Sequence, residues 1–197
     1  MTAEAAFGPY QVDQAIGHHV HTYFRGHPVE RRRYTGGPIT SRVPNFAIYA
    51  VGNGPRFDGW TYVTSGCSAA VHEDGHGTEF VLSALHDEHS LMELLAMLAF
   101  YHAGPVSHRF DLGHTVPIGR PWLAGSTCDH VLFSLPYPYG SELEVCEWPG
   151  GHARLLWVLP ITSAEATFRH RHGLDALEDK FEASGLNYTN PYRPSVV

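Results

Sequence analysis

The sequence predicts an α+β fold: a mixed, largely antiparallel sheet of about six strands packed with helices in one domain. Three observations carry this. Strand-like runs come in two groups of three instead of alternating one by one with helices, as a doubly wound parallel sheet would require. Between the groups lies "SLMELLAMLAFY" (Ser90 to Tyr101), a helix apolar nearly all round and therefore buried. No linker, repeat or low-complexity stretch divides the 197 residues, of which 43% are hydrophobic, enough to build one sizeable core.

The elements follow in order. Val12, Ile16 and Val20, with Tyr23 and Phe24, recur at helical spacing, and Gly26 ends that helix. Residues 34–44, rich in Gly, Pro and Thr, read as a loop, so residues 1–44 form an N-terminal helix and loop ahead of the sheet. Phe46 to Val51, Trp60 to Thr64 and Glu79 to Leu85 are the first three strands, with "HEDGHG" (His72 to Gly77) as the turn region before the third. Ser90 with Glu93 reads as a capping box opening the buried helix, which Gly104-Pro105 stops. Val131 to Leu135, Glu142 to Trp148 and Ala153 to Leu159 are the second three strands. Thr162 with Glu165 makes another capping box, Gly173 interrupts the helix it opens, and Leu174 to Ala183 continues to a Gly185 cap. The domain is expected to span residues 1–197.

Composition excludes several classes. The formal net charge is −7, which makes nucleic acid an unfavourable direct partner, because phosphate contacts need clustered Lys and Arg. The three cysteines, Cys67, Cys128 and Cys146, include no C-x-x-C; this argues against a disulfide framework or a thiolate zinc site and suits a reducing cytoplasm. "MTAEAAFGPYQ" lacks the basic-then-apolar pattern of a signal peptide, and no apolar run approaches the ~20 residues of a membrane span.

Chemistry-bearing residues are numerous but do not assemble. "YVTSGCS" (Tyr62 to Ser68) ends a strand in two hydroxyls and a thiol, yet lacks the G-x-S-x-G elbow of a serine nucleophile. Cys67 reads as a small buried residue at a strand end, with a Cys–His pair as the alternative. Among 15 histidines, His18, His19 and His21 point three ways on a helix. His86 and His89 with Glu93, His72 with His76, and His170 with His172 also lack metal-ligand spacing, and H-E-x-x-H is absent. Glu142 and Glu144 are expected to share a solvated strand face, and Arg31-Arg32-Arg33 to solvate a loop edge or meet an acidic partner. No catalytic, cofactor or metal residue is therefore expected.

One surface is expected to bind a partner. Tyr101 ends the buried helix where Gly104-Pro105 turns the chain, and "GHTVPIGRPW" (Gly113 to Trp122) is an irregular segment of the kind that carries recognition. Tyr101, His114, Arg120 and Trp122 are the candidates, Arg and Trp being residue types that dominate interface energetics.

The ordered set "WTYVTSGCS", "EFVL", the apolar helix, "GHTVPIG" with Pro121, "LLWVLPITSAEATFRHRHGLDAL" and "RPSV" resembles the suppressor of fused family from about residue 45 onward. The resemblance implies a non-enzymatic binding domain of α+β fold. Animal members are longer, with a second domain, and hold a transcription-factor peptide between the two; a Tyr and an Asp of the first domain lie at that peptide. Tyr101 falls at the Tyr position, and Gly113 stands at the Asp position. Short bacterial members resemble immunity proteins of polymorphic toxin systems. The resemblance also makes "YVTSGCS" a structural turn, with Gly66 supplying an unusual backbone conformation and Ser65 and Ser68 satisfying turn amides. The expected function is a cytoplasmic, single-domain protein that binds and neutralises a protein partner. The alternatives are a hydrolase using a His/Glu metal site or Cys67, and a small-molecule sensor domain.

Overall fold

A computed structural model describes residues 8–73 and 75–197. The first seven residues, where the absence of a leader pattern was read, and Asp74 of the "HEDGHG" turn lie outside the described residues.

Among the described residues, eight strands form one sheet: β1 (Val29–Arg33), β2 (Ala47–Val51), β3 (Trp60–Ser65), β4 (Gly77–Ala84), β5 (Thr115–Pro117), β6 (Cys128–Ser134), β7 (Val145–Trp148) and β8 (Gly151–Thr162). Their order is β1-β2-β3-β4-β8-β6-β5, with β7 added against the start of β8. Only β4 and β8 run parallel; the other pairs are antiparallel. β8 is the spine: β7, β4 and β6 pair with successive parts of it. Pro160 is tolerated in β8 because beyond Trp157 that strand is paired on one side only.

Helices cover both faces. α1 (Pro9–Tyr23), α2 (Ile39–Arg42), α3 (His89–His102), α4 (Ser141–Glu144), α5 (Ser163–His172) and α6 (Leu174–Ser184) complete the domain. The two-residue period of the strands sorts the core. Ile48, Tyr62, Phe80, Leu82 and Phe133 face α3, whose Leu91, Leu95 and Leu98 meet them. Tyr49, Val63, Val81 and Leu155 face the other way, under Ile16 and Val20 of α1. On that side, Trp157, Leu159 and Ile161 carry Leu177 and Phe181 of α6. Because both faces are covered, β2 and β4 are buried along their whole length, and β2 reads as a continuous apolar run.

The structure departs from the sequence expectations at five places. There are eight strands, not about six: β1 and β5 were missed, β1 because "VERRR" has no apolar face and β5 because it has three residues ending in Pro117. β1 is an edge strand, so Arg31-Arg32-Arg33 lies on the sheet and not at a loop edge. Arg31 binds Asp13, and Arg32 grips both oxygens of Asp87 at 2.7 and 2.9 Å; charges of this kind guard an open edge. Residues 34–44 contain the one-turn helix α2. Residues 141–144 are helical, so Glu142 and Glu144 do not share a strand face. The Ser90–Glu93 capping box does not form: α3 begins at His89 with Glu88 at its cap. The Thr162–Glu165 box does form, with both reciprocal bonds in place.

Candidate functional site

The turn that looks most like an active site is a structural hub. Gly66 has φ 115°, in the region that favours glycine. The buried Glu79 carboxylate accepts the Gly66 N–H at 2.9 Å, the Ser68 N–H at 3.0 Å and the Thr64 hydroxyl at 2.6 Å. The turn amides are therefore held by Glu79 and not by serine hydroxyls: Ser65 Oγ donates to Asp13 at 2.7 Å, and Ser68 Oγ has no partner among the described residues. A glutamate in a strand carries no local signal for this role, because its partners lie 11 to 15 residues away in the chain. Cys67 is fully buried, and that burial, reinforced by Glu79, pushes its thiol well above the ordinary value. A thiol held protonated and shut away from solvent is no nucleophile.

Four of the 15 histidines gather in one place that their sequence positions did not reveal. His72 and His76 stack at 4.3 Å between ring centres, His152 lies 6.0 Å from His76, and His102 lies 5.6 Å from His72. His102 is wholly buried; its Nδ1 accepts the Phe110 N–H at 3.0 Å. Burial first, then the neighbouring His72 and Arg109, lower its pKa to about 3, so it is neutral. Among the described residues, no group of three or more His, Cys, Asp or Glu is arranged to hold a metal ion. His89 and Glu93 share a helix face at 3.9 Å, but His86 does not join them.

Of the four candidates for partner contact, two share a groove and two stand outside it. Arg120 and Trp122 line a groove of about 660 Å³ between the start of α3 and the C-terminal tail. Arg120 is exposed and bonds Glu93 at 3.2 Å. Trp122 is only 4% exposed and belongs to the α3 core, yet its indole N–H has no partner among the described residues. Two exposed apolar side chains that sequence reading missed, Leu85 and Tyr192, complete the groove; tail and strand end meet only in the fold. Tyr101 lies elsewhere. At about 1.5 Å per residue, α3 separates it from Ser90 of the groove by roughly 16 Å. Its ring is 46% exposed and stacks on His108 at 4.4 Å and Phe110 at 5.4 Å. His114 is exposed, and its Nδ1 accepts the Asp111 N–H at 3.2 Å. Gly113 has φ 81°, and a Cβ there would meet the Arg169 guanidinium at 2.8 Å. At the position where the resemblance implies an aspartate, this chain thus has a left-handed glycine against a cation.

What fold and surface define is an α+β domain whose irregular segments frame open grooves. The model of the family described as "Suppressor of fused protein (SUFU)" matches residues 43–194, and the chain belongs to that family. The crystal structure of a suppressor of fused homologue from Neisseria gonorrhoeae is similar, with TM-score 0.84 and 34% identity, covering 95% of this chain and 98% of that one. A chain of the Sufu–Fu complex shares the fold at TM-score 0.68 and 14% identity, covering 94% of this chain and 92% of that one. Drosophila Suppressor of Fused does so at TM-score 0.57 and 12% identity, covering 85% of this chain but 42% of that one. The immunity protein YqcF of Bacillus subtilis is 31% identical over 68 residues, which are 34% of this chain and 35% of that protein. Among the described residues, no helix is long and apolar enough to cross a membrane.

Proposed function

We propose that this protein is a non-catalytic immunity protein that acts in the cytoplasm by binding a protein toxin and blocking it. The observation that carries the reading is the stretch shared with an immunity protein, within a family membership that spans most of the chain. The chemistry of the candidate nucleophile agrees, since Cys67 is buried and protonated. The cysteines Cys67, Cys128 and Cys146 are free and buried, as suits a reducing compartment. The partner surface includes Arg120 and Trp122, with Leu85 and Tyr192 beside them: an apolar groove with one cation at its rim. Tyr101, at the far end of α3, belongs to the same interface only for a ligand extended along that helix, and His114 stands outside the groove.

The test is co-expression with the product of the neighbouring gene. The expected result is relief of growth arrest and co-purification of the two proteins. Arg120→Ala and Trp122→Phe, checked for folding by circular dichroism, should each weaken the complex by about 1 kcal/mol or more, the mark of an interface anchor. Folded variants that bind as wild type would move the interface elsewhere. Failure of the two proteins to associate would remove the immunity reading.

A further inference from the structure

A second groove lies on the opposite face of the sheet, where α6 rests on β8. Its volume is about 660 Å³. Its floor is apolar and aromatic: Trp157 and Leu159 of β8, Phe181 of α6, and Leu186 and Tyr188 just beyond. Its rim is acidic. Asp175, Glu178, Asp179 and Glu182 all line it, and no Lys, Arg or His does.

Asp175 sits in the first turn of α6, where the helix dipole favours a carboxylate, but that does not account for the whole acidic stripe. The four carboxylates stand at i, i+3, i+4 and i+7 of α6, so each neighbouring pair on the helix surface repels, which costs a helix a few tenths of a kcal/mol per pair. None of the four forms an ion pair among the described residues. Glu178 is nevertheless held in place: Ser134 Oγ donates to it at 2.7 Å and Tyr137 Oη at 3.1 Å. The Tyr137 phenol registers the resulting field, raised first by burial and then by Glu178 and Asp175. Tyr137 itself stands 58% exposed at the mouth.

We infer that this groove is a docking site for a cationic, apolar segment of a protein partner. Its apolar residues fill the floor over Trp157 and Phe181, and its arginine or lysine side chains pair with the α6 carboxylates. Arginine suits the site best, because a guanidinium can both stack on an aromatic ring and bind a carboxylate through two N–H groups. Contact with the apolar surface still open at Tyr137, Leu186 and Tyr188 supplies affinity, while the unpaired rim supplies steering and selectivity against acidic segments. The inference rests on the protein-binding reading only in that the occupant is a protein segment; it does not require a toxin.

The experiment uses the whole protein, labelled for nuclear magnetic resonance, and three capped hexapeptides: alternating arginine and leucine, alternating glutamine and leucine, and alternating glutamate and leucine. The arginine peptide should shift α6 amides and the Trp157 indole, more weakly as salt is raised. The double variant Asp179→Lys, Glu182→Lys should weaken it at least about tenfold. Both residues are exposed and the change leaves the floor intact; should that variant not fold, Asp179→Asn, Glu182→Gln replaces it, with a smaller loss in the same direction. Equal binding of the glutamine peptide, shifts centred away from α6, or unchanged affinity in the folded variant would overturn the proposal. So would a dimer in sedimentation that the variant abolishes, since the occupant would then be a second copy. Peptide binding here with no toxin complex would sink the immunity reading alone; a toxin complex indifferent to these variants, with no peptide binding, would sink this one alone.

Discussion

Glu79 and Glu165 are both fully buried carboxylates, and the two ends of the molecule hold them differently. Glu79 has no cation among its bonded partners: two backbone amides and one hydroxyl receive it, and the result is a rigid turn after β3. Glu165 is gripped through both oxygens by Arg193 at 2.7 and 2.8 Å, and also accepts the Thr162 and Val196 amides. Arg193 in turn donates to the Pro160 carbonyl at 2.9 Å. One carboxylate therefore organises a local turn, while the other fastens the C-terminal tail across β8. The lesson is about dependence. A carboxylate held by amides depends on the backbone around it, whereas an ion pair leaves a full buried charge behind when one partner goes.

The comparison can be broken by mutation, and the effects should rank accordingly. Arg193→Ala strands the Glu165 carboxylate, so a loss of about 3–5 kcal/mol is expected in urea unfolding. Replacing both residues, as in Arg193→Met with Glu165→Leu, should recover much of that. A double variant as unstable as the single one would show that the tail depends on more than the pair. Glu79→Gln keeps the shape and removes the charge from two amide bonds and one hydroxyl bond; the expected loss is about 1–3 kcal/mol. An effect as large as that of Arg193→Ala would erase the distinction.

Acid sharpens the comparison. Burial alone would raise the Glu165 carboxyl, but the Arg193 bonds and the two amides outweigh it, and the net shift is below 4.5. Its contribution is thus fully present above that value and is lost as the pH falls through the lower, folded value. His102 acts in an earlier window. Folded it titrates near 3, unfolded near 6.5, so the unfolded chain binds the extra proton between those values. Stability is fully present above about 6.5 and falls with acid by up to about 1.4 kcal/mol per pH unit. His102→Asn, whose Oδ1 stands where Nδ1 does and can still accept the Phe110 N–H, should flatten that slope between pH 6 and pH 4.5, as urea titrations at ~0.5-unit steps would show. An unchanged slope would place the acid sensitivity elsewhere. The smallest effect is expected at Arg120. Its exposed pair with Glu93 contributes little, so Arg120→Ala should leave stability within about 0.5 kcal/mol, whatever it does to binding.

Much of this fold was legible in the residues. Six strand regions, the buried α3 and the Thr162 capping box are written in local patterns, because apolar periodicity reports which face an element buries. What stayed hidden has physical reasons. β1 is an edge whose side chains are charged, so it offers no apolar alternation. The Ser90 box failed because the cap of α3 falls two residues earlier, at Glu88, whose N–H the Tyr62 hydroxyl accepts at 3.0 Å, a partner 26 positions away. Of the candidate contact residues, Arg120 and Trp122 share a groove, while Tyr101 and His114 lie apart from it. The acidic stripe of α6 was readable as spacing, but its apolar floor comes from β8.

The sequence by itself determined the α+β class, the element that had to be buried, the acidic balance and the family. Tertiary structure alone decided what each polar residue means. Glu79, Glu165, His102 and Trp122 have the same intrinsic chemistry anywhere in a chain. Their roles come from partners 3 to 31 residues distant for the first three, and for Trp122 from an N–H left without a partner among the described residues. Burial removes water as the default partner, and only the packed chain can say what replaces it.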